Sequence, residues 1–368
     1  MAFHKRWIGT ADGDYGNAAN WEPISIRNPV YRWIASGSGT AEYYLDLIGG
    51  GDPGLTEPAT ASEDIAGTDT NMAAGTAGSL NVSEWDWADN DTLGYSTVYV
   101  RLAGGTDPDA STIDHVKFRQ IPVTDDDVTI PATSSVAITL GLDQSAVAID
   151  EFITENGSPA IATIAGYLHI KPNSFDLGAN AVAYIDMGAE AISGTVRKTA
   201  AGATGGRGLY LRGTALATLT VIDGSVGVAF VPGELSTVSR VQTTGPGADV
   251  VLGAGCTLTT ISAQKGKLEM HSAATTVKVR GAVVRTIGTG AITTVSILGG
   301  SFYGNASGTI TTLNCEGGTA SMMESANART ITNLKVDPGG SIKYDPDIIT
   351  ITNHTAPTSP VSVKASNP

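Results

Sequence analysis

The stretches ITTVSILGG at residues 292–300, ITTLNCEGG at 310–318 and ITNLKVDPGG at 331–340 repeat nearly one phrase three times, at intervals of 18 and 21 residues. Self-similarity at a near-constant period is the mark of a stacked, repetitive architecture. Degenerate forms of the phrase recur upstream at Leu258 (LTTISAQKG), Val238 (VSRVQTTG), Leu216 (LATLTVIDG), Val182 (VAYIDMG), Ile161 (IATIAG) and Ile138 (ITLG), with a weaker one at Val277 (VKVRG). Neighbouring phrases lie 15 to 23 residues apart, except for a gap of 34 between Val182 and Leu216 that a loop at KTAAGATGGRG, residues 198–208, would fill.

A strand of a few residues cannot bury its apolar face alone. If each stretch of about 20 residues winds into one coil, its short strands pair with the coils above and below at about 4.8 Å. The inward positions then merge into a continuous aliphatic column, Thr and Ser face out, and Gly or Asn takes the corners that need positive φ. The expected fold is therefore all-β, with a single-stranded parallel β-helix (β-solenoid) as its body. From Asp127 to Tyr344 there is room for about ten coils, a rod on the order of 50 Å long. A β-sandwich also gives alternation and Gly-rich turns, but has no reason to reproduce one phrase at a fixed interval. No 3.6-residue apolar stripe supports a helical array.

Composition agrees. Of 368 residues 45 are Gly and only 16% are charged, which suits short strands and tight turns. A net charge of −14 argues against a nucleic-acid partner, since phosphate binding rests on clustered Lys and Arg. No apolar run approaches a membrane span, and MAFHKRWIGTADGDYG lacks the apolar centre of a signal peptide. Cys256 and Cys315 fall at different phases of the repeat and are expected to be free thiols.

All five tryptophans (Trp7, Trp21, Trp33, Trp85, Trp87) precede residue 120, so an aromatic-rich N-terminal β domain is expected ahead of the aliphatic coils. The expected boundaries are a cap or anchor segment over 1–28, an inserted β-rich domain over 29–120, the solenoid over 121–345 and an extended tail over 346–368. NPVYRWIASGSGTAEYYLDLIGGGDP and LGYSTVYVRLAGGTDPD alternate as strands. The weakly patterned GLTEPATASEDIAGTDTNMAAGTAGSL between them, residues 54–80, reads as surface loop. Asp12, Asp14, Gly16 and Asn17 are spaced somewhat like a calcium loop but lack the closing carboxylate, so the turn reads as Asx-stabilised. Asp125, Asp126 and Asp127 could hold a cation, yet acids before an edge strand more often stay solvated and discourage edge pairing. No metal and no cofactor is expected.

GDYGNAANW near the start, together with DDVTIP opening a Gly/Thr/Val-rich run, resembles the entry of β-solenoid surface and virion proteins. DNDTLGYSTVYVRLAGGTDPD is similar to a stretch in structural proteins of tailed bacteriophages, here as an insertion from about Pro29 to Pro108. The resemblance covers the first 140 residues; the coils match in style only. It implies a virion component, either a capsid-attached decoration or head-fibre protein or a tail fibre or spike. Such a protein is usually a homotrimer, contacts other virion proteins and is assembled in the host cytoplasm.

Enzymatic chemistry finds little footing in the sequence. Glycoside hydrolysis needs two carboxylates facing each other across a cleft, and the acids of the coils are scattered. Asp186 in YIDMG and Asp223 in VIDG sit similarly after an apolar strand and would lie two coils apart, roughly 10 Å. No aromatic platform is expected beside them. His4, His115, His169, His271 and His354 show no ligand spacing, with His169 and His271 reading as outward strand residues. ATGGRG at 203–208 precedes a strand instead of a helix and so is no phosphate cradle.

The C-terminal DPDIITITNHTAPTSPVSVKASNP offers one last strand from Ile348 to Ile351, then a tail that is disordered or extended on a partner. That tail, or an oligomer partner, would cover the open end of the coils. A non-enzymatic virion protein is thus expected, with Trp7, Trp21, Tyr31, Trp33, Trp85 and Trp87 as an interaction cluster or, equally, the N-terminal core. The alternative is a tailspike or adhesin that binds or cleaves polysaccharide, with a host-surface glycan as partner.

Overall fold

The computed structural model describes residues 4–9, 12–25, 32–46, 57–65, 67–110, 115–178, 181–188, 192–199, 207–324 and 327–355. These residues are all-β apart from one short 3-10 turn, Ala18–Asn20. The chain divides into two compact units, residues 1–129 and 130–368.

In the first unit the strand His4–Arg6 runs parallel to residues 127–129, with His4 level with Asp127 and Arg6 with Thr129. Two further sheets complete it. One orders Ile24–Ser25, His115–Arg119, Thr60–Ile65 and Thr68–Asn71; the other orders Arg32–Ala35, Tyr43–Asp46, Thr97–Arg101, Glu84–Ala88 and Ala73–Ala74. The stretch 54–80, read as surface loop, therefore contributes strands to both sheets. Polar residues hid them: Glu63 and Asp64 are buried, and each is satisfied internally. Glu63 accepts from the Ser83 hydroxyl at 2.6 Å and the Ala103 amide at 2.9 Å, and Asp64 pairs with Lys117 at 2.9 Å. A buried carboxylate survives only with such partners.

In the second unit every strand-to-strand pairing among the described residues is parallel. This is the expected β-solenoid, and it excludes a sandwich of two antiparallel layers. One inward column reads Ile138, Ile161, Ala183, Leu209, Val226, Val250, Leu268, Val284, Phe302, Ala320 and Ile342, one residue per rung. All eleven are buried. The rungs extend to the strand Ile349–Thr355, which pairs in parallel with Arg329–Lys343.

The repeated phrases occupy equivalent places in successive rungs. Ile292, Val295 and Ile297 are level with Ile310, Leu313 and Cys315, and these with Ile331, Leu334 and Val336. All nine are buried. Two consecutive outward residues, Thr293 and Thr294, separate the first two inward ones, so the chain bends there. The glycine pair makes the next corner. Gly300 and Gly318 have φ of 79° and 84°, and a Cβ on Gly300 would stand 2.4 Å from the Ala282 carbonyl of the rung before. Only glycine meets both demands.

The gap of 34 residues has a different cause from the one expected. The true counterpart of Leu216 is Ile192, and that of Ala183 is Leu209. Phrases on two different faces of the coil share the same words, and counting them as one series joins two phases. Most of the supposed loop, residues 200–206, lies outside the described residues. Cys256 and Cys315 are both free and buried, and burial pushes the Cys256 thiol up to about 12.

Two column positions break the pattern informatively. Gly194 falls between Phe175 and Leu219 in register, and a Cβ there would lie 2.4 Å from the Phe175 ring and 2.5 Å from its carbonyl. Phe175 fills the space that Gly194 vacates. Gly194→Ala must shift backbone as well as ring, and is expected to lower stability by about 1–3 kcal/mol, read by urea denaturation followed by circular dichroism. Thr243 sits in an inward column between Val221 and Ala263, fully buried, with a hydroxyl that meets no hydrogen-bond partner. Thr243→Val keeps the shape and removes the orphaned group, so the same measurement should show a gain of about 1 kcal/mol.

Candidate functional site

The aromatic residues singled out in the sequence divide between two N-terminal cores. Trp7 and Trp21 are fully buried and meet edge to face at 5.3 Å, with Tyr15 packed at 4.8 Å from Trp21 and 6.4 Å from Trp7. The Trp21 indole donates to the Tyr15 carbonyl at 2.9 Å. Trp33 and Trp85 belong to a second cluster with Leu45, Val98, Val100 and Phe118, against which Trp87 is half-buried. Tyr31 lies outside the described residues. The structure thus places both groups as packing, and no continuous exposed aromatic patch joins them among the described residues.

The acidic turn beside Trp7 and Trp21 is an Asx turn. The Asp12 carboxylate accepts from the Asp14 amide at 3.1 Å, Asn17 at 3.1 Å and Asn20 at 2.8 Å, and the Asp14 amide, first among these, holds Asp12 below the usual carboxylate range. No group of three potential metal ligands occurs among the described residues. The nearby recess of about 830 Å³ is lined by Asp14, Asn17, Glu57, Thr60, Asn71 and Arg119, among others. Its one cation in that set, Arg119, is spent on the carbonyls of Trp21 at 3.0 Å and Ala19 at 3.3 Å.

Asp126 departs from expectation most sharply. Expected solvated, it is fully buried, 3.8 Å from the equally buried Lys5 ammonium. It accepts the Val123 amide at 2.9 Å, and Lys5 donates to Gln120 at 2.8 Å. Burial pushes Lys5 down to about 8, against the opposing pull of Asp126. Burial, helped by the Asp126 charge, drives the Tyr15 phenol well above its ordinary value.

On the solenoid, Asp186 and Asp223 do not come together. Asp186 is level with Arg212 at the end of its strand, whereas Asp223 precedes Gly224, which is level with Ala248 at the start of another. Both oxygens of Asp186 are engaged. Oδ2 meets Arg212 Nε at 2.7 Å and His169 Nδ1 at 3.2 Å, and Oδ1 accepts the Gly188 amide at 2.9 Å.

Beside this ion cluster runs a feature the sequence reading missed. Tyr167, Tyr184, Tyr210 and Phe230 form a ladder along one face, with ring centroids at 5.5, 4.5 and 5.8 Å and the central pair stacked at 5°. The coils are not bare of aromatics. Register explains it: Tyr184 and Tyr210 are level, and the next rung offers Gly227, whose missing side chain leaves room for the Phe230 ring. The rings are 17, 26 and 20 residues apart, so no fixed interval announces them. The available signal was an aromatic flanked by inward aliphatics, as in AYID and LYLR. The ladder is partly closed: the Arg212 guanidinium covers Tyr167 at 4.1 Å, and Arg207 lies 5.7 Å from the Phe230 centroid. Tyr167 and Tyr210 are buried, which leaves Tyr184 and Phe230 as the accessible rings. Further along, Arg207, Asp249, Lys267, Glu269 and Arg285 line a shallow groove of about 240 Å³, with Arg207 and Asp249 paired at 2.9 Å.

No protein-family model, no curated protein and no solved structure matches this chain.

The Lys5–Asp126 pair gives a signed pH dependence. Between pH 8 and 10.5 the unfolded chain holds a proton on residue 5 that the folded chain has lost, so stability rises with pH across that window. Above about pH 10 the unfolded Tyr15 ionises while the buried one does not, and stability falls. Denaturation followed by tryptophan fluorescence reports the first unit alone, because all five tryptophans lie in it. It should show a maximum between these limits. Lys5→Met should abolish the rise above pH 8 and cost about 3–5 kcal/mol by stranding the Asp126 charge.

Proposed function

We propose that this chain is a non-enzymatic structural protein of a tailed-bacteriophage virion, a capsid decoration or head fibre that carries a β-helical rod and mediates attachment. The observation that carries this reading is the solenoid of eleven stacked rungs, a fold consistent with fibre-like and spike-like structural proteins. The resemblance of GDYGNAANW, DDVTIP and the inserted segment to phage structural proteins supplies the viral setting. Interlocked backbone hydrogen bonds and buried columns resist local unfolding and proteolysis, which suits a part exposed outside a particle.

The proposal includes a homotrimer in contact with other virion proteins. The alternative, a polysaccharide-binding tailspike or adhesin, draws support from the aromatic ladder, since Tyr184 and Phe230 could stack on sugar rings. It is weakened by the closure of Tyr167 and Tyr210 and by the pairing of Asp186 with Arg212 and His169.

Immunogold labelling of intact particles with an antibody against this chain, viewed by electron microscopy, tests the proposal. Label confined to the head supports a decoration or head fibre, and label at the tail tip moves the assignment to the tail. Absence of the chain from purified particles would overturn the virion reading.

A further inference from the structure

A second face of the solenoid carries neither charges nor aromatics, and its pattern is stricter than that of the ladder. Residues 257–259 read TLT, 273–275 AAT, 291–293 AIT, and 309–311, 330–332 and 350–352 all TIT. The middle residues are level from rung to rung, from Leu258 through Ala274, Ile292, Ile310 and Ile331 to Ile351. The flanking residues therefore form two parallel outward columns. One is Thr in all six rungs; the other is Thr in four and Ala in two. Between them runs a groove of about 380 Å³ floored by Leu258, Ala274 and Ile292. Among the described residues, no other protein group engages the hydroxyls of Thr259, Thr275, Thr293 and Thr311.

The geometry of such a face is set by the backbone. Hydroxyls recur about 4.8 Å apart along the coil axis and, in the four rungs with Thr on both sides, about 6.6–6.8 Å apart across the rung. The stiff χ1 of the β-branched threonines holds each hydroxyl and methyl in place. The result is one unbroken row of hydroxyls and a second row interrupted at Ala273 and Ala291, with methyl groups between them to restrain the waters in the groove. These two translations lie close to the repeats of water oxygens on a prism face of ice.

The size and charge of the strip narrow its occupant. The six rungs span about 24 Å, and a strip about 10 Å wide offers on the order of 240 Å², well short of the ~800 Å² per partner of a stable protein interface. The strip is neutral on a chain of net charge −14, so it is matched to an uncharged partner. It presents no ring on which a sugar could stack. We infer that this threonine face binds the surface of ice through an ordered layer of water. The inference is independent of whether the rod belongs to a virion.

The test grows ice slowly in a dilute solution of the full chain and measures the fraction of protein taken into the ice. A soluble protein of similar acidity serves as the excluded reference. The wild-type chain should be enriched several-fold over the reference. Thr293→Lys and Thr311→Lys should each cut the enrichment several-fold, with unchanged circular dichroism and melting curves. Gln264→Lys, which adds the same charge at an exposed position off the face, should leave it unaltered. If either lysine variant misfolds, Thr293→Val and Thr311→Val remove only the hydroxyls and should still reduce enrichment. Exclusion of the wild-type chain from ice overturns the inference, as does enrichment that survives every face variant. Threonine-dependent retention on insoluble polysaccharide, or a threonine-dependent dimer in sedimentation, each without ice uptake, would assign the face to that other occupant.

Discussion

The second unit depends on one constraint: each rung must hydrogen-bond in parallel register with its neighbours, because no rung can bury its own inward residues. A strand holding Ile292, Val295 and Ile297 has three apolar side chains that stack on Ala274, Val277 and Val279 of one neighbouring rung and on Ile310, Leu313 and Cys315 of the other. Stacking removes both sets from water, at roughly 25 cal/mol per Å² of apolar surface. The same register governs the outside. Once the inward positions are locked, every outward position also becomes a column, whatever residues occupy it. The tyrosine ladder, the Arg212–Asp186 pair and the threonine rows all follow from that single alignment.

Register fixes position but leaves volume to be balanced locally. Where a column carries a large ring, an adjacent rung yields: Phe175 occupies the space above Gly194, and Phe230 occupies that beside Gly227. At Gly304 the vacancy is shared by Met322 and the Arg329 side chain. Interiors tolerate such exchanges when total volume is conserved. Arg329 is the least comfortable of these solutions, since it is buried with Nε and Nη2 unmatched and its pKa lowered by burial. Corners obey a harsher rule, because at Gly300 and Gly318 backbone angle and close approach of the previous rung act together.

The repeated phrases made the solenoid legible, since Ile-Thr-Thr closed by two glycines records an inward residue, a bend and a corner in order. Phase was not legible. VAYIDMG and LATLTVIDG look alike, yet they lie on different faces, because any face of a coil needs inward aliphatics flanked by polar residues. The ladder escaped notice for a related reason: the connections between rungs vary in length, so Tyr167, Tyr184 and Tyr210 lie 17 and 26 residues apart, as do the inward Leu168, Ile185 and Leu211 beside them. In the first unit the errors share one source. Glu63, Asp64, Lys5 and Asp126 look like surface residues by type, and only their partners, far away in sequence, allow them to be buried. Hydropathy records a residue's own cost of burial and says nothing of the group that offsets it.

This division between inside and outside also bears on what the coils can do. A column repeats outward groups along a line at the strand spacing and lets neighbours in successive rungs pair with one another, as Arg212, Asp186 and His169 do. Such lines suit recognition of another periodic object, where many weak, identical contacts add up and no single residue is indispensable. A row of uncommitted hydroxyls and a partly closed row of rings are two versions of that arrangement on one body. They differ in whether the outward side chains have spent their hydrogen bonds and ring faces on each other or kept them for something outside.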